Sequence, residues 1–174
     1  MAAFIGAGIV SMAVWDDATA FGSLSFTDVG NVSKLTASFT EDRKILKNFR
    51  TVAGGNYASF SRIEDAKLSM DFRDFSAANL TALVWGTSSG TTTITIEAMV
   101  AAAPLMAIKF VGVNLVDGKD YTAQFFKVRL SPPAALDMIG EDFGTMTIDG
   151  TVEADTDNIT TPGLSQYFKL LVEA

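Results

Sequence analysis

Two-residue alternation of apolar and polar side chains recurs along this chain and constrains its fold more than any other feature. In residues 65–73, Ala66, Leu68, Met70 and Phe72 point one way while Lys67, Ser69, Asp71 and Arg73 point the other. In residues 145–154, Met146, Ile148, Val152 and Ala154 oppose Thr145, Thr147, Asp149, Thr151 and Glu153. Successive side chains of an extended strand leave on opposite faces, so this period marks strands with one face in a core and the other toward water or a partner. Weaker runs at 32–40, 92–101, 106–113, 122–130 and 166–172 extend the pattern, and abundant threonine suits it. The reading is a mainly β chain, an antiparallel β-sandwich in one domain covering residues 1–174.

One helix interrupts the strands, in SAANLTALVWG over about residues 76–85. Ser76 can accept from free backbone N–H groups, and Phe75 before it can staple onto Leu80. Leu80, Leu83 and Val84 form an apolar stripe for the sheet, and Gly86 is the expected left-handed exit. Pro132 and Pro133 end the strand that closes at Leu130, since proline donates nothing to a ladder. Asp117-Gly118, Asp149-Gly150 and Pro162-Gly163 mark turns, the second either a kink inside a strand or a hairpin tip.

Between the alternating segments lies a different stretch, EDRKILKNFRTVAGGNYASFSR, residues 41–62. It is cationic and glycine-interrupted, and is read as an extended hairpin arm. Its candidate contact residues are Arg43, Lys44, Ile45, Lys47, Phe49, Arg50, Gly54, Gly55, Tyr57, Phe60 and Arg62. From Asp137 to Asp157 there are seven acids and no base, and Asp137, Glu141, Asp142, Asp155 and Asp157 form a candidate acidic counter-surface. Opposite signs on separate parts of one chain suit a head-to-tail contact between copies.

Composition narrows the chemistry. Hydrophobic residues reach 48% against 19% charged, with a mean hydropathy of +0.27, so much surface must be hidden in a core or against partners. The apolar stretches Phe4–Trp15 and Met99–Ile108 fall short of the roughly 20 residues that span a bilayer. No Lys or Arg precedes Lys34, so the first is read as a buried first strand and not as a secretory signal. A net charge of −7 argues against sequence-independent binding to nucleic acid. Cysteine and histidine are both absent, which removes thiolate chemistry, the commonest general base and the commonest metal ligand.

The remaining motifs are weak. Gly6-Ala7-Gly8 imitates the start of a dinucleotide fingerprint, but Ser11 holds the third glycine position. Asp155-Thr156-Asp157-Asn158 imitates a calcium loop, with Ile159 and Gln166 where oxygen ligands belong. Glu64-Asp65 and Glu141-Asp142 are read as strand and turn ends. Asn31, Asn79 and Asn158 open glycosylation sequons, which carry no meaning without secretion. No catalytic residue, metal or cofactor is expected.

Taken in order, several segments resemble the tail tube protein (major tail protein) of long, non-contractile-tailed bacteriophages. They are AFIGAGIVSMAVW, GNVSKLTASFTED, RKILKNFRTVAGGNYASFSRIEDAKLSMDF, SAANLTALVWG, FFKVRLSPPAALDMIGEDFGTMTIDGTVEAD and SQYFKLLVE, together nearly the whole chain. The resemblance implies a tail tube-like β-sandwich flanked by a helix, six copies to a ring, and inner sheets joined into a continuous barrel. Rings would stack into a hollow conduit for genome delivery, in a virion tail assembled in the bacterial host cytoplasm. Implied partners are further copies of the chain, a tape-measure protein, and tail terminator or baseplate proteins. Double-stranded DNA would pass through the lumen without specific binding, and no membrane insertion is implied.

In that frame residues 41–62 reach a neighbouring subunit or ring. Lumen candidates are Lys34, Lys67, Asp71 and Arg73 from the hairpin 32–40/64–73, with Glu97, Asp149 and Glu153 supplying acids. The family leads one to expect a negative lumen, and the basic residues of the hairpin depart from that. The alternatives are a ring protein of a type VI secretion-like tube and a monomeric β-sandwich ligand-binding module.

Overall fold

The computed structural model describes residues 6–133 and 144–173, and in it the alternating segments pair into antiparallel sheet. The strands are β1 (Gly6–Val14), β2 (Thr27–Asp28), β3 (Val32–Lys47), β4 (Asn56–Phe72), β5 (Thr87–Ser89), β6 (Thr95–Glu97), β7 (Leu105–Asn114), β8 (Asp120–Leu130), β9 (Met146–Glu153) and β10 (Phe168–Val172). A helix α1 (Ala77–Leu83) follows β4, and one 3₁₀ turn occupies Phe21–Ser23. The main sheet runs β2-β1-β7-β8-β9-β4-β3, with β10 added to β8; β5 and β6 form a small separate hairpin.

A fork at β8 turns one sheet into two layers. One edge of β8 pairs β7, while the other is divided, with β10 on Tyr121–Phe125 and β9 on Lys127–Leu130. β10 continues the β1-β7-β8 layer, and β9 leads into β4 and β3, which fold across it. Val10, Met12, Ile108 and Phe125 from the first layer meet Leu68, Met70, Phe72 and Ile148 from the second in one buried cluster. Burying each large side chain contributes about 1.5–3 kcal/mol. The rings of Phe39, Phe168 and Phe125 stack at 5.1 and 5.8 Å between centroids, joining β3 to β10 across the layers.

The helix follows its sequence signals with one correction. Ser76 caps it, its Oγ accepting from Asn79 N at 3.3 Å, and Leu83 is fully buried under it. The left-handed exit falls on Trp85 (φ 52°), one residue before Gly86. Gly86 is needed for space instead, since a Cβ there would lie 2.7 Å from the Glu97 carbonyl oxygen. The buried side chain of Asn79 donates to Val29 O at 2.8 Å, tying the helix to the segment after β2.

Two other expectations change. β1 is buried only in part: Val10, Met12 and Ala13 are buried, Ile9 and Val14 are exposed, and β2 pairs its outer edge just at Ser11 and Met12. In the run 92–101 the strand shrinks to Thr95–Glu97. Asp149-Gly150 lies within β9 and is not a hairpin tip. Val128 Cγ1 stands 2.6 Å from where a Gly150 Cβ would be, so the glycine lets β8 and β9 approach.

Candidate assembly surfaces

β3 and β4 pair without interruption by any third strand from Glu41/Ile63 out to Lys47/Asn56, while β4 reaches β9 only from Lys67 onward. Among the described residues the outer half of the hairpin is therefore a free two-stranded ribbon, and residues 41–62 extend from the sandwich as an arm. Its tip is closed by Asn48 N donating to Gly55 O at 2.9 Å and Gly54 N to Thr51 O at 3.1 Å. Gly54 and Gly55 take φ of 65° and 96°, the left-handed values a tight reversal needs.

Register decides what each face carries. A bulge at Thr40/Glu41 absorbs Glu64, so the face bearing Ile63, Arg43 and Ile45 continues the core face of the sandwich. The opposite face carries Asp42, Arg62, Lys44, Phe60 and Leu46. Apolar side chains thus stand in water on both sides: Ile45, Leu46, Tyr57, Phe60 and Ile63 along the ribbon, with Phe49 88% exposed at the tip. A lone hairpin is marginally stable in water, and apolar side chains left in water are costly to keep uncovered.

Three of the arm's five bases are paired with acids within the arm. Arg43 binds Glu41 at 2.9 Å, and Asp42 takes both Lys44 at 3.0 Å and Arg62 at 3.3 Å. Lys47 donates to Asn56 Oδ1 at 2.9 Å. Five bases against two acids leave the segment at +3, but such exposed pairs contribute little energy, so the apolar side chains are its stronger feature.

Hydrogen bonds from Arg43, then from Ser61, hold the Glu41 carboxyl below the ordinary glutamate range. Its folded pKa being lowered, the small stabilisation it gives is present above the unfolded value and lost as pH falls through the folded one. An NMR titration of Glu41 is expected to show a midpoint below that of an unstructured glutamate, rising in Arg43→Gln. An identical midpoint in both proteins would refute the pairing.

Of the acidic counter-surface only Asp155 and Asp157 are among the described residues, and Asp155 is no part of a surface. Asp137, Glu141 and Asp142 lie outside the described residues. Asp155 is buried, 2% exposed, and accepts from Asn158 N at 3.2 Å; it braces a turn and offers nothing to a partner. Asp157 stands 3.8 Å from Lys127 of the same chain. The calcium-like spacing around Asp155 is thus a turn, and among the described residues no group of three acids or more could hold a metal. No described helix is long and apolar enough to cross a membrane.

Most of the residues expected at a lumen share one face of the sheet. The outer face of β3-β4-β9 is built in rows across the strands, Lys34–Asp71–Thr147, Thr36–Ser69–Asp149 and Ser38–Lys67–Thr151. Thr147 Oγ1 donates to Asp71 Oδ1 at 2.6 Å. β8 extends the face with Arg129, bonded to Glu153 at 2.6 Å, and Lys127. Lys34, Lys67, Asp71, Asp149 and Glu153 therefore share one hydrophilic face, and Arg73 follows just beyond the end of β4. Glu97 leaves the group, because β6 belongs to the separate hairpin. Lys34, Lys67, Lys127 and Arg129 balance Asp65, Asp71, Asp149 and Glu153, so the face is near neutral and not negative. Sequence reasoning missed Lys127 and Arg129, whose strand shows only a weak alternation broken by the pair Phe125-Phe126.

Sheet borders complete the picture. Among the described residues the outer edges of β3 and β10 pair with nothing, and most of that of β1 is also open. The chain belongs to the family described as protein of unknown function UCP028589, which matches residues 3–97 and 89–171. No curated protein matches it.

Proposed function

We propose that this chain, as a member of that family, is a self-assembling structural protein: the tail tube subunit of a long-tailed phage, stacking as hexameric rings into a hollow conduit for a genome. The observation that carries the reading is the arm. A two-stranded ribbon, with apolar side chains on both faces, leaves the sandwich with no third strand beside it among the described residues, and burial against another copy is the physical remedy for such a surface.

The open edges of β1, β3 and β10 support the same reading, since closure into a ring pairs strands that otherwise template aggregation. The Ser/Thr-rich, charge-balanced face of β3-β4-β9 suits a lumen, because a surface without net positive charge gives passing DNA nothing to adhere to. Tape-measure, terminator and baseplate proteins are the further partners this reading entails, and the virion tail is its location. Catalysis and cofactors have no part in it.

A ring protein of a secretion tube would use the same surfaces and differ in the extent of stacking. Negative-stain micrographs of the purified chain at rising concentration are expected to show rings about a central hole that extend into tubes. Isolated rings that never stack favour the secretion reading. A concentration-independent monomer in sedimentation refutes both and restores the ligand-binding module.

A further inference from the structure

Where the arm leaves the sandwich, the core stays open. Phe39, Ile63, Tyr167 and Phe168 wall a cleft of about 520 Å³ whose rim carries Glu64 and Asp65. The ring stack from Phe125 through Phe168 to Phe39 leads the core out to this surface, yet Ile63 remains 66% and Tyr167 47% exposed. Asp65 is paired with Lys67 at 3.3 Å. Glu64 has no ion pair among the described residues.

The other end of the arm carries the complementary features. Phe49 and Val52 stand free in water at the tip, Phe49 falls between Lys47 and Arg50 in the sequence, and Arg50 also lacks an ion pair among the described residues. One end is an apolar plug beside cations, the other an apolar cleft beside acids. About 20 Å of paired ribbon separates them, at roughly 3.3 Å per residue, so a copy cannot seat its own tip in its own cleft.

We propose that the cleft at the arm's base receives the arm tip of a second copy, with Phe49 inside and Arg50 against Glu64. Every copy offers both halves, so the contact is heterologous and repeats from one copy to the next. The inference rests on the self-assembly reading, but names a contact which that reading does not require.

The chain contains no cysteine, so a Val52→Cys, Glu64→Cys double variant treated with a short bismaleimide reports this contact alone. The apolar plug carries the affinity, and an exposed ion pair adds little, so losing Glu64 leaves the docking in place. The assembled double variant is expected to yield a ladder of three or more linked copies, and either single variant at most dimers. Phe49→Ala in the unmodified protein is expected to weaken association about 30-fold, as for an interface anchor. Rings or tubes that form without the ladder overturn the docking and leave the assembly reading intact. A double variant and parent that both stay monomeric at all concentrations overturn the two together.

Discussion

A protein in which residues 43–61 are replaced by an Asn-Gly turn is expected to fold normally and to form no tubes. Asp42 and Arg62 stand directly opposite each other in the β3–β4 register, so a two-residue turn can join them without disturbing the strands below, and Asn-Gly suits the twist of such a hairpin. None of the deleted residues belongs to the buried cluster, and stability of the single copy should change by less than about 1 kcal/mol, in keeping with surface positions. Assembly should fall from the dominant state to undetectable in micrographs and sedimentation, because the exposed apolar face of the arm is gone. Normal tubes from the shortened chain would remove the arm from the mechanism. A chain that unfolds would instead make the arm part of the monomer's own stability.

Phe72→Ala is expected to destabilise the single copy by about 3–5 kcal/mol, the cost of a large buried aromatic plus the cavity left behind. For a domain of this size that lowers the melting temperature by roughly 6–20 °C. Phe72 is fully buried where β3, β4 and β9 meet, paired with Val32 and Met146, and nothing there can collapse without moving a strand. Phe49→Ala removes the same side chain from the tip, where it is 88% exposed, and should change monomer stability by no more than about 0.5 kcal/mol. Thermal denaturation of both substitutions in the full chain, at concentrations where sedimentation shows single copies, separates folding from association. Equal effects would mean that the buried cluster is misplaced.

The two phenylalanines show where sequence reading succeeds. Phe72 ends a run of strict alternation, and its burial followed from the period alone. Phe49 sits among lysine, asparagine and arginine, and its exposure was legible as well. The charged residues of the arm were harder. Arg43, Lys44 and Arg62 count as three free cations on the page, yet the register sets Asp42 between two of them and Glu41 beside the third. Asp155 failed in the opposite sense: an acid in an acidic run proved to be a buried brace, because Asn158 turns back onto it. Glu97 was grouped with Asp149 by charge, though their strands lie in different sheets.

The chain's own order of residues determined the elements: which segments extend, which face of each is apolar, where Ser76 starts a helix, and that residues 41–62 form an arm. These are local properties, governed by side-chain period and backbone preference. Only the tertiary structure decided the fork in β8, the bulge at Thr40/Glu41 that brings Ile63 onto the core face, and the open cleft beneath the arm. Each depends on which strands become neighbours and in what register, and pairing between distant segments leaves no mark in the local pattern of either.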